Sequence, residues 1–159
     1  MGAIGFTPEQ ETIRDAVAAL CRPFDAAYWR EIDRTGAWPE AFVAAVVEAG
    51  WLGIAMPEHY GGSGLGVTEA AILAQTVAAS GAGMSGASAI HLNLFGPNPI
   101  VVFGTEAQCE RFLPALIRGE HRACFAVTEP DAGLDTTALT TLARRDGDRY
   151  RVTGRKHWT

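Results

Sequence analysis

Two short stretches carry residues whose types and spacing could do chemistry together. The first is Cys124-Phe125-Ala126-Val127-Thr128-Glu129-Pro130-Asp131-Ala132-Gly133-Leu134-Asp135. Its alternating apolar start reads as a strand, and the Thr, Pro and Gly that follow read as a turn presenting backbone N–H groups and a hydroxyl at the strand end. The second is Gly154-Arg155-Lys156-His157-Trp158-Thr159, the last residues of the chain. Its tryptophan offers a flat apolar surface of the kind that packs on an aromatic ring system.

These residues need elements to position them, and the chain before them reads as helical. Thr7-Pro8-Glu9-Gln10 is a helix start, with Thr as N-cap, Pro at the first helical position and Gln three residues after the cap. Ile13, Val17, Leu20 and Phe24 then recur at helical spacing, and Pro23 should end or kink that helix. A second helix is expected from Pro39 through Phe42, Val46 and Val47 to Gly50, a natural C-cap. Residues 51–66 read as a glycine-rich loop, and residues 67–95 as two helices broken at Gly81 and Gly83. Thr105-x-x-Gln108 is another capping box, opening a helix with Phe112, Leu116 and Ile117 on one side that ends at Gly119. From Ala123 the apolar period changes to two, and Asp146-Gly147 between residues 139–144 and 149–153 signals a hairpin.

The two chemical stretches resemble the acyl-CoA dehydrogenase family, whose flavin-binding pattern reads A-x-T-E-P-x-x-G-S-D, then a hairpin, then G-x-K-x-W-[IT]-[TS]. Pro57-Glu58-His59-Tyr60-Gly61-Gly62-Ser63-Gly64 is similar to the family's P-E-x-Y-G-G-x-G loop, and Gly104-Thr105-Glu106-Ala107-Gln108 to its G-[TS]-x-x-Q helix start. The resemblance implies an α+β fold. Residues 1–122 would form the N-terminal all-α domain, and residues 123–159 the first strands of a β-barrel-like middle domain.

It also implies FAD as cofactor and desaturation of an acyl-CoA thioester, with hydride passing to the flavin. Val127 and Thr128 would face the flavin, supplying donors where negative charge builds on reduction. Phe125 would pack beside it, Gly133 and Leu134 would approach the pyrophosphate, and Trp158 with Thr159 would cover the ring. Leu134 stands where the family has serine, so only its backbone N–H can serve FAD or CoA. Ser88, His91 and Phe95, at i, i+3 and i+7, share one helix face. The resemblance places that face, with Leu134, at the acyl group, although the same spacing serves a face packed in a core. The further implied features are electron-transfer flavoprotein as acceptor and a homo-oligomer, tetramer or dimer, at full length.

Composition narrows the classes. With 48% apolar and 19% charged residues the chain is an ordinary globular sequence. A net charge of −5 with scattered Lys and Arg argues against nucleic acid as partner. Cys21, Cys109 and Cys124 show neither a disulfide framework nor zinc spacing, which points to a reducing, cytoplasmic setting. The four histidines are too scattered to suggest a metal. Glu9 and Glu11 sit where a signal peptide would be apolar, and no apolar run is long enough to span a bilayer. Gly62-Ser63-Gly64-Leu65-Gly66 lacks both the strand-and-helix context of a Rossmann loop and the Lys-Ser/Thr of a P-loop, so it reads as a tight connection.

No glutamate has the context of the family's catalytic base, which the resemblance puts beyond Thr159. The expectation is the front part of a family member, inactive alone. Two other readings stay open: an acyl-CoA oxidase or flavin monooxygenase of the same fold, and a non-catalytic helical interaction module.

Overall fold

The computed structural model describes residues 5–159. Contacts divide the chain into two compact units, Met1–Ala123 and Cys124–Thr159.

Helices α1 (Pro8–Cys21), α2 (Ala26–Thr35), α3 (Glu40–Glu48), α4 (Val67–Val77), α5 (Gly83–Phe95), α6 (Asn98–Phe103) and α7 (Glu106–Ile117) build the first unit. Both capping boxes form. The Gln10 N–H donates to Thr7 Oγ1 at 3.3 Å while Thr7 N–H donates to Gln10 Oε1 at 3.1 Å, and Thr105 and Gln108 repeat the exchange at the start of α7. The break between α4 and α5 lies where the glycines place it, as a wide turn over Ala78–Ala82 with Gly81 at φ 104°.

Two helices were not expected. The α2 helix precedes the one anticipated at Pro39: Asp25 caps it by accepting from the Ala27 and Tyr28 N–H groups at 2.9 and 3.0 Å. Its apolar face is short, Tyr28, Trp29 and Ile32 among polar neighbours with Trp29 alone fully buried, and the reading along the chain passed over it. The short α6, Asn-Pro-Ile-Val-Val-Phe, has no buried residue at all and lacks an amphipathic pattern for the same reason.

Aromatic residues from α2, α3 and the turn before α2 make the centre of the larger core. Phe24 lies 5.1 Å from Tyr28 and 5.4 Å from Phe42, and Trp29 lies 5.1 Å from both Tyr28 and Phe42, all edge to face. Val17, Val46, Leu73, Val77 and Ile90 close around them. A second cluster joins Met56 to Cys109, Leu113, Leu116 and Ile117 of α7. The glycine loop between α3 and α4 folds onto its own backbone, with Ser63 N–H on Gly53 O at 2.9 Å and Gly64 N–H on Met56 O at 2.8 Å. A side chain at Gly62 would run into the Met56 carbonyl, so close backbone approach explains that glycine without any ligand. Asn93, buried on α5, donates to His121 O at 3.1 Å and accepts from Ala123 N–H at 2.9 Å, tying the end of the unit to its core.

The second unit holds one antiparallel hairpin, β1 (Leu142–Asp146) and β2 (Arg149–Thr153), with Leu142 opposite Thr153 and Asp146 opposite Arg149. Two strand expectations are corrected. The first strand begins at Leu142 rather than Leu139, because Thr136–Ala138 is a tight helical turn capped by Asp135, and the loop residues are Gly147-Asp148. Residues 124–128 belong to no ladder. Alternating apolar residues make a strand only against a partner, and none pairs with them among the described residues.

The helical core has a testable centre. Phe42→Ala is expected to destabilise the helical unit by about 3–5 kcal/mol, since Phe42 is fully buried against two aromatic rings. Chemical denaturation followed by helical circular dichroism measures it, and a midpoint equal to that of the parent chain contradicts the assigned core.

Candidate functional site

The second unit brings the two chemical stretches together, and a carboxylate does it. Glu129 follows Thr128, and its side chain is only 4% exposed. One oxygen accepts from the Thr140 N–H at 2.7 Å and the Thr140 hydroxyl at 2.8 Å. The other accepts from the Thr141 N–H at 2.9 Å and the Lys156 ammonium at 2.9 Å. The Glu129 main chain closes a small turn with Ala132, its N–H donating to Ala132 O at 2.9 Å. One side chain therefore joins the Thr-Glu-Pro turn, the entry to β1 and the segment after β2.

This network holds the Glu129 carboxyl well below the usual carboxylate range. The nearby Thr141 hydroxyl counts first although it lies outside hydrogen-bond geometry, followed by the bonded Thr140 amide and Lys156 ammonium, with burial opposing them. Lys156 also donates to Val127 O at 2.8 Å, and the His157 N–H donates to Thr128 O at 2.9 Å. The Gly-x-Lys-x-Trp stretch thus lies along residues 127–129. Its glycine has a steric cause: a side chain at Gly154 would overlap Thr141.

The residues expected at a flavin are placed around this frame. The N–H groups of Val127 and Thr128 find no internal acceptor among the described residues, while both carbonyls are engaged. Trp158 is 91% exposed and has φ 60°, the sole positive φ at a non-glycine residue among those described. Such a conformation is uncommon for an aromatic residue. Phe125 is 57% exposed, and Leu134, Gly133 and Thr159 lie at the surface.

Ser88, His91 and Phe95 belong to α5 of the helical unit and are not gathered around one cavity there. Ser88 borders a cavity of about 490 Å³ with Trp38, Val47 and Leu92. Phe95 borders another of about 340 Å³ with Met56, Leu65 and Val101. His91 lines neither, and its Nδ1 lies 3.2 Å from the Ser88 carbonyl. No group of three or more His, Cys, Asp or Glu among the described residues could hold a metal, and no helix there is long and apolar enough to cross a membrane.

Sequence reasoning passed over Glu129 and Lys156 as functional residues. The available signal was one acidic and one basic residue, each inside one of the two motifs. Their pairing fixes a pH dependence. A carboxyl with a lowered folded pKa contributes stability that is fully present above its unfolded value and is lost as pH falls toward the folded value. The Glu129 carboxylate is accordingly expected to stay ionised, and the hairpin folded, at pH values where ordinary glutamates are protonated. Carbon-detected NMR of the Glu129 carboxyl checks this, and titration in the ordinary range contradicts the network.

The chain is similar to known proteins along nearly its whole length. Residues 7–120 match the model of the acyl-CoA dehydrogenase N-terminal domain. A 3-(aryl)acrylate reductase of Clostridium sporogenes is 34% identical over 95% of this chain and 40% of its own length. A probable acyl-CoA dehydrogenase of Bacillus subtilis is 35% identical over 96% of this chain and 40% of its own. Among solved structures, a glutaryl-CoA dehydrogenase in complex with glutaryl-CoA superposes with a TM-score of 0.84 at 27% identity, over 99% of this chain and 40% of that one. An acyl-CoA dehydrogenase from Bacillus anthracis complexed with FAD superposes with a TM-score of 0.74 at 28% identity, over 99% of this chain and 27% of that one. The chain thus spans about 40% of the length of the reductase and of the Bacillus subtilis relative. With the domain model matched from the first capping box to the end of the last helix, the chain belongs to the acyl-CoA dehydrogenase family.

Proposed function

We propose that this chain is the N-terminal part of an FAD-dependent acyl-CoA dehydrogenase that desaturates an acyl-CoA thioester between its α and β carbons. The observation that carries the reading is the convergence of the two motifs on Glu129, which leaves the N–H groups of Val127 and Thr128 without internal acceptors among the described residues, beside the stretch that carries the exposed Trp158. When bound, FAD supplies the acceptor for the hydride that leaves the β carbon.

The residues fit that group. Val127 and Thr128 offer main-chain N–H groups and a hydroxyl to a polar ring edge, the exposed Trp158 offers a stacking face, and Phe125 offers apolar surface beside it. Gly133, Leu134 and Thr159 complete the cofactor contacts in this reading, the Leu134 side chain supplying no hydrogen bond. By the resemblance alone Ser88, His91, Phe95 and Leu134 would serve the acyl group, and the separate cavities at Ser88 and Phe95 lend that assignment no support. The reading assigns no glutamate of residues 1–159 as the base that takes the α-proton. It includes electron-transfer flavoprotein as acceptor, a homo-oligomeric whole protein and a cytoplasmic setting.

Cofactor binding tests it directly. The protein is expected to show flavin absorbance after reconstitution with FAD, and Trp158→Ala to weaken FAD binding by about 1 kcal/mol through loss of a stacked ring. Absence of bound flavin in the protein together with the remainder of its reading frame removes the proposal. Thr128→Val is expected to lower turnover of that protein by as much as about 3 kcal/mol in activation free energy while leaving its unfolding midpoint in place. Steady-state kinetics with an artificial electron acceptor measures this, and unchanged turnover takes Thr128 out of the site.

A further inference from the structure

The peptide between Val127 and Thr128 is loaded on one side only. Its carbonyl accepts from the Lys156 ammonium at 2.8 Å, and its N–H meets no internal acceptor among the described residues. The peptide is trans, as none of the described bonds is cis, so the two groups point to opposite sides. Lys156 is largely enclosed, with 24% of its side chain exposed, and Glu129 holds it in place at 2.9 Å.

A hydrogen bond to an ion is about twice as strong as one between neutral groups. Bonds in series through a peptide polarise one another, so a carbonyl that accepts from an ammonium makes the N–H of the same peptide a better donor. The Glu129 carboxylate cancels the Lys156 charge at long range. At contact it does not, because the ammonium proton lies directly on Val127 O. What survives is a local effect aimed through one peptide at one donor.

We propose that Lys156 is a positioning residue that acts through the Val127–Thr128 peptide, strengthening the Thr128 N–H as a donor to a ring system that gains negative charge on reduction. The effect on the bound cofactor rests on the proposed flavin-dependent function; the effect on the peptide does not. Lys156 raises the reduction potential of the bound flavin, and its loss lowers it.

The test has two arms. In the chain without cofactor, Lys156→Gln, which keeps a donor and removes the charge, is expected to move the Val127 carbonyl carbon and the Thr128 amide proton upfield, with the amides of β1 and β2 in place. Lys156→Arg keeps both charge and donors and is expected to restore the Thr128 shift. In the FAD-loaded protein, equilibration against a redox dye is expected to show the reduced-to-oxidised ratio falling by up to about fivefold in Lys156→Gln. That ceiling follows from weakening one bond to a charged acceptor by roughly 30%, the upper end for coupled bonds. Lys156→Arg again restores it. A Thr128 amide that does not move when the Val127 carbonyl does overturns the proposal, as does an unchanged potential. Should Lys156→Gln lose the hairpin, Lys156→Arg decides: parental Thr128 shift and potential support the proposal, and a lowered potential with the hairpin intact sinks it. Failure to bind FAD in every variant and the parent counts against the flavin-dependent function alone, since the amide arm needs no cofactor.

Discussion

The buried Glu129 carboxylate is the constraint on which the second unit turns. A short hairpin with every residue of both strands exposed has almost no apolar core to hold it, and isolated hairpins are marginal in water. Glu129 supplies what the core does not. It accepts from the adjacent Thr140 and Thr141 and from Lys156, two places well separated along the chain, and satisfies both carboxylate oxygens. A buried charge is costly unless paired and hydrogen-bonded, and this one is both. The consequence is geometric: the donor-bearing residues 127–128 and the segment that carries the exposed Trp158 lie side by side because Lys156 and His157 bind along them.

The helical unit solves its own problem by different means. Its helices bury apolar faces around a cluster of edge-to-face aromatic rings, and their ends are satisfied locally by Thr7, Asp25 and Thr105. One polar side chain enters the core with its partners present: Asn93 binds the backbone at both His121 and Ala123. Trp29 is the exception, its Nε1 enclosed without a partner, and the surrounding rings offset that cost only through packing.

Membership of the acyl-CoA dehydrogenase family sits well with these details, and one departure stands out. Leu134 replaces the family's serine and lies fully at the surface, where an apolar side chain has no evident role in the isolated chain. Its backbone N–H remains, so the substitution removes one hydroxyl from the candidate site and leaves the frame set by Glu129 untouched.

Much of this protein was legible in its sequence because the signals were local. Caps such as Thr7-Pro8-x-Gln10 and the glycine break at residues 81–83 each follow from the chemistry of a few adjacent residues. The two motifs likewise named the candidate site. Helices α2 and α6 were passed over, since few or none of their residues are buried: α2 shows only the short apolar face of Tyr28, Trp29 and Ile32, and α6 is six residues long. Residues 124–128 read as a strand and belong to no ladder, because alternation is local while pairing requires a partner. The site's organisation was beyond reach for the same reason. That Glu129 meets Lys156, that Lys156 meets the Val127 carbonyl, and that Ser88 and Phe95 face different cavities are facts about residues brought together or kept apart by folding, and a sequence pattern encodes spacing along the chain, not proximity in space.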